Sequence, residues 1–162
     1  LIEYLMETQP FDAFEVLGGE NYYEHNGFQT IHYYEDLARG IHYPIVGSTD
    51  SHGSTEHNRN GDICSTIVFA KQNERVALID AIKEKYSVAV DTISKEYRLV
   101  GDFRLMKYAC FLMENYYPLH DKACATEGYF MNRYIAGDER AKQILADMKG
   151  QIPDMIKKYF AL

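Results

Sequence analysis

The chain has 162 residues, 46% of them hydrophobic, which suffices for one globular domain or one plus an appendage. Twenty-four acidic against 17 basic residues give a net charge of −7, without a Lys/Arg-rich run, which argues against a nucleic-acid partner held by phosphate neutralisation. No apolar run approaches the roughly 20 residues that span a bilayer, and three cysteines (Cys64, Cys110, Cys124) without C-x-x-C spacing argue against a zinc finger or disulfide framework.

A reducing cytoplasm is therefore the expected setting, with no membrane partner. Residues 1–10, LIEYLMETQP, carry no signal-peptide pattern and read as mid-helix without an initial Met, so a fragment is expected. Residues 11–19, FDAFEVLGG, have the length and punctuation of a strand, with Phe14 and Val16 on one face and Ala13 and Glu15 on the other. In FQTIHYYEDLARG, Ile31, Tyr34, Leu37 and Ala38 recur at helical spacing, and Gly40 fits a C-terminal cap. YPIVGST is the next strand, followed by a polar loop and the β-branched run ICSTIVFA at residues 63–70. NERVALIDAIKEK reads as a helix capped by Asn73, and YSVAVDT as a strand.

Strand, helix, strand, loop, strand, helix, strand is the rhythm of a mostly parallel α/β sheet or barrel. About four strands are too few for a whole eight-stranded barrel. After about residue 93 the pattern becomes helical. Leu105, Ala109, Leu112 and Tyr116 form one stripe behind Asp102, and Pro118 opens a helix that ends at Gly137. Ala141, Ile144, Leu145 and Met148 share a face between Asp138 and Gly150, and a last helix covers residues 153–160. The expected division is residues 1–92 for the α/β part and 93–162 for a helical extension.

The chemistry concentrates in YPIVGSTDSHGSTEHN, residues 43–58. On an extended chain residues i and i+2 point the same way, so Asp50 and His52 would aim at one spot at a strand's C-terminal end. A carboxylate and an imidazole there suit one divalent cation of the Zn, Mn or Fe kind. The other reading is a turn in which Thr49, Asp50, Ser51 and Gly53 cap backbone groups. Glu15, if it faces a barrel interior, is a carboxylate lining the site; otherwise it reaches water past Gly18 and Gly19. His57 and Arg59 follow in the same loop, and a bidentate guanidinium at Arg59 suits a phosphate oxygen. His32 and His120 read as packing or surface residues, and Lys83, Lys85, Lys157 and Lys158 as solvated helix faces.

The segment PIVGSTDSHG resembles the last metal-binding motif of the PHP (polymerase and histidinol phosphatase) superfamily, in which a strand ending in G-S-D-x-H gives an Asp and a His to a multinuclear metal centre. FDAFEVLGG is similar to the preceding barrel strand, and ALIDAIKEKYSVAV to the closing element. The resemblance covers residues 11–92, and only its D-x-H part is specific. It implies the C-terminal portion of a distorted (β/α) barrel, with Asp50 and His52 as metal ligands. Glu15, His57 and Arg59 would border a small-molecule phosphate ester, and water activated by divalent Zn, Mn or Fe would hydrolyse it. Two departures stand out: Thr49 intervenes between Ser48 and Asp50, and the chain has no H-x-H, the motif with which family members open. The first ligands of the set are thus expected outside this chain, leaving it inactive alone. Two other readings stay open. One is an amidohydrolase-like barrel. The other is a non-catalytic α/β-plus-helical module that binds a partner, packs on a missing barrel half or forms a homo-oligomer through uncovered strand edges.

Overall fold

A computed structural model describes residues 1–19, 23–50, 63–92 and 98–160. The elements in chain order are α1 (Ile2–Thr8), β1 (Phe14–Leu17), α2 (Tyr23–Ala38), β2 (Ile45–Gly47), β3 (Cys64–Val68), α3 (Arg75–Lys83), β4 (Ser87–Asp91) and β5 (Arg98–Gly101), then α4 (Phe103–Asn115), α5 (Tyr117–Ile135), α6 (Glu139–Met148) and α7 (Gln151–Phe160). They divide into two compact units, Leu1–Ala109 and Cys110–Leu162.

In the first unit the strands make two small sheets, and among the described residues no barrel closes. β1 pairs parallel with β2, Phe14 opposite Ile45 and Leu17 opposite Gly47. β3, β4 and β5 pair antiparallel, so the expectation of a mostly parallel sheet is corrected. The reason is physical: apolar periodicity reports which residues are buried, and it is the same whichever way a strand runs. β5 was not anticipated. Its four residues, RLVG, open on a charge and are too short to stand out.

The register of β1 shifts between Glu15 and Leu17. Consequently Val16 and Leu17 are both buried, and Glu15 is exposed, in keeping with the reading in which it reaches water rather than a barrel interior. The two sheets meet through β2. The Ser87 hydroxyl donates to the Ile45 carbonyl at 2.8 Å, and the Gly47 amide donates to Thr66 Oγ1 at 2.9 Å. Gly47 also lies against Ala89. Residues 45 to 47 therefore run alongside 87 to 89, and β1, β2 and β4 share one direction while β3 and β5 oppose it.

The core of this unit gathers Met6, Val16, Leu17, Tyr33, Tyr43, Ile45, Cys64, Ala89 and Val100, with Phe11, Phe14, Leu37 and Ile41 packed on it. The buried side of α2 is Asn26, Tyr33 and Asp36, whereas Ile31 and Tyr34 of the expected stripe are exposed. Each of those buried polar groups has a partner, which offsets its desolvation. Gly40 stands in the left-handed region that the end of α2 requires (φ 83). α3 starts from Glu74 without a side-chain cap, so Asn73 does not cap it. Asp102 does serve α4: its Oδ1 accepts from the Arg104 amide at 2.9 Å.

In the second unit Leu112, Tyr116, Ala123 and Ala141 are buried, and the Tyr116 ring contacts Tyr117, His120, Tyr159 and Phe160. Asp138 caps α6 through the Arg140 amide at 3.1 Å, as expected. α7 is amphipathic yet buries no residue fully. Among the described residues no helix is long and apolar enough to cross a membrane.

Candidate functional site

The shared direction of β1, β2 and β4 brings their C-terminal ends to one edge, the edge at which parallel α/β sheets hold their ligands. Two backbone fixtures build it. The Ser48 amide donates to the Leu17 carbonyl at 2.9 Å, continuing the parallel ladder one residue past β2. Buried Asn26 clamps the end of β1, accepting from the Gly18 amide at 2.9 Å and donating to the Gly18 carbonyl at 3.0 Å. A side-chain amide that does both substitutes for a missing strand neighbour. On this frame the Ser48 hydroxyl donates to the Glu15 carboxylate.

Asp50 lies three residues past β2, exposed, with a left-handed backbone (φ 46) that Asp tolerates better than most residues. The extended geometry expected to aim Asp50 and His52 together therefore does not hold at Asp50. His52, His57 and Arg59 lie outside the described residues. Glu15 and Asp50 stand at the same edge.

Three further residues belong here that the sequence reading passed over. Asp91 closes β4 as Asp50 follows β2, and it is almost fully buried. Its antiparallel partners are Cys64 on β3 and Arg98 on β5, so a thiol, a carboxylate and a guanidinium form one row across the sheet. The Arg98 Nη1 is buried and has no hydrogen-bond partner among the described residues. A signal for Asp91 existed: it ends the apolar run SVAV, where a carboxylate has no packing role. Arg98 had none, because β5 itself was invisible.

Cys64 reports the field in this row. Burial, then the Asp91 carboxylate, pushes its thiol from 9.0 up to about 12, and Arg98 works in the opposite direction. The unfolded thiol ionises near 9.0 and the folded one near 12, so in that window the unfolded state holds fewer protons. Stability is then fully present below pH 9.0 and falls as pH rises, by up to about 1.4 kcal/mol per pH unit. Urea unfolding followed between about pH 8 and pH 10 is expected to show this decline, flattened in Cys64→Ala. An equally steep decline in the variant would remove Cys64 as its source.

Among the described residues no group of three or more His, Cys, Asp and Glu is placed to hold a metal ion. On α5, His120 Nδ1 lies 3.0 Å from Asp121 and its Nε2 lies 3.6 Å from the Cys124 sulfur. Burial pushes the Cys124 thiol up, away from the thiolate form that a nucleophile uses. Comparison with family models, with curated proteins and with solved structures finds no match to this chain.

Proposed function

We propose that the chain contributes the closing strands of a PHP-like metal-dependent phosphoesterase, completed by ligands from polypeptide beyond these 162 residues. The supporting observation is that Asp91 ends β4 and Asp50 follows β2, two strands of the same direction, at one edge. Hard anionic oxygens of this kind fit a divalent cation, and His52 would add a nitrogen ligand. The chain has no H-x-H, the motif with which PHP members open, so the reading calls for further ligands from outside it. Zinc, manganese or iron held there would lower the pKa of a bound water and neutralise phosphoryl oxygens. The residues of the chain then have separate tasks. Asp50 and His52 hold the cation, Glu15 and His57 border the approach, and Arg59 with the unpartnered Arg98 Nη1 bind the phosphoryl group through charge-assisted hydrogen bonds.

Calorimetric titration of the 162-residue chain with Zn²⁺ or Mn²⁺ tests the reading. Weak binding is expected, reduced about tenfold or more in Asp50→Ala and in His52→Ala. 4-Nitrophenyl phosphate should be hydrolysed no faster than background. Metal binding unchanged in both variants would take Asp50 and His52 out of the site. Turnover by the chain alone that disappears in Asp50→Ala would refute the shared ligand set.

A further inference from the structure

At the other end of the first unit, where β2 and β4 begin, lies a groove of about 550 Å³. Small-molecule sites are typically concave, largely apolar and roughly 300–1,000 Å³ in volume, with a few polar groups at fixed places. This groove has that construction. Tyr33, Leu37, Tyr43, Ile45 and Leu105 make its floor, all buried or partly buried. Its rim is exposed and carries two acids, Glu84 and Asp102, and two bases, Lys85 and Arg104.

These four charges face one groove, and among the described residues they form no ion pair with one another. Asp102 uses Oδ1 to cap α4, and the Arg104 guanidinium, the Lys85 ammonium and the Glu84 carboxylate have no partner among the described residues. A rim carrying both signs over an apolar floor complements a molecule that itself carries both signs on an apolar body.

Lys85 adds an independent observation. The Tyr86 amide donates to the Ala81 carbonyl at 2.8 Å and the Lys85 amide to the Ile82 carbonyl at 2.9 Å. This pair of bonds ends α3 as a Schellman motif, with Lys85 in the left-handed position (φ 68) where glycine is the default. Glycine would hold that position at lower strain, whereas lysine brings a cation both to the C-terminal end of α3 and to the rim of the groove.

We infer that the groove binds a small zwitterion with an apolar or aromatic body, an amino acid or a dipeptide built on one. Its carboxylate meets Arg104 and Lys85, its ammonium meets Asp102 and Glu84, and its body lies on Leu37 and Leu105, the partly exposed side chains of the floor. The groove is separate from the strand-end edge and does not depend on the phosphoesterase reading.

Titration of the 162-residue chain with L-phenylalanine, 3-phenylpropionate and 2-phenylethylamine, followed by calorimetry or amide chemical shifts, tests the inference. The amino acid should bind saturably, and each analogue, lacking one charge, about tenfold more weakly. Arg104→Ala should weaken L-phenylalanine and 3-phenylpropionate by about the same factor and leave 2-phenylethylamine unchanged. Lys85→Gly should lower affinity while raising the melting temperature, a combination that a purely structural lysine would not give. Equal binding of all three compounds, no saturable binding of any, or indifference to Arg104→Ala would each overturn the inference.

Discussion

Gly47→Ala is expected to cost the first unit about 3 kcal/mol, at the upper end of what overpacking a core does. A Cβ on Gly47 would stand 2.4 Å from the Ser65 carbonyl oxygen and 3.3 Å from the Ala89 Cβ. The obstacle is backbone, so a rotamer change cannot relieve it. Nor can either strand step aside freely. Ser65 and Thr66 are fixed by their pairing with Val90 and Ala89, and Gly47 is held on one side by Leu17. On the other side the Thr66 hydroxyl accepts from its amide at 2.9 Å and donates to its carbonyl at 2.7 Å. Urea unfolding followed by circular dichroism measures the loss. Gly27→Ala in α2 is the control, because nothing lies within 4 Å of its Cβ. There the gain in helix propensity is expected to stabilise by about 1 kcal/mol. A Gly47→Ala variant within experimental error of the native chain would mean that the sheets do not meet as closely as Ser65 and Gly47 indicate.

The same glycine shows what the sequence could reveal. In YPIVGST an apolar run meets polar residues, which located β2 and the edge that follows it. The burial of Ala109, Leu112 and Tyr116, the caps at Asp102 and Asp138 and the glycine at position 40 were likewise legible, because each is a local effect of one or a few neighbours. What stayed hidden depends on partners distant in the chain. The tight fit at Gly47 comes from β3 and β4, neither of which the residues around it mention. The direction of β3 and β5 leaves no trace in periodicity. The exposure of Glu15 follows from a register shift against β2, and the burial of Asn26 and Asp36 from partners at Gly18 and Tyr43. Lys85 read as one more solvated lysine because a backbone dihedral is not written in composition. For the candidate site, Glu15 and Asp50 could be picked from the sequence as acids in or just after a strand, and Asp91 as a carboxylate ending an apolar run, whereas Arg98 required the antiparallel row that seats it.

Tyr43 carries the other large expectation: Tyr43→Ala should remove about 4 kcal/mol, and Tyr43→Phe about 2 kcal/mol. The ring is 1% exposed and meets three others edge-on, Phe11 at 6.0 Å, Phe14 at 5.6 Å and Tyr33 at 5.7 Å between centroids. Truncation to alanine empties that space, and β1 and α2, which surround it, cannot both close in. Phenylalanine keeps the ring but removes the hydroxyl that donates to Asp36 Oδ2 at 3.0 Å. Asp36 is 1% exposed, and it would then rest on Arg39, whose Nη1 lies 3.3 Å from the other oxygen, and on His32 at 3.7 Å. A buried carboxylate short of a donor costs more than the net worth of the lost bond. The phenol carries the complementary signature: burial first, then the Asp36 hydrogen bond, raises its pKa above the usual tyrosine range. A proton held that tightly in the fold and released near 10.0 in the unfolded chain contributes stability that is complete below pH 10.0 and declines above it. Tyr43→Phe should therefore lie furthest below the native chain at neutral pH and approach it as pH rises past 10.0. A double-mutant cycle with Asp36→Asn, read by urea unfolding, isolates the pair and should return a coupling of about 1 kcal/mol or more. A coupling near zero together with a native-like Tyr43→Phe would leave the aromatic packing as the whole contribution of this residue.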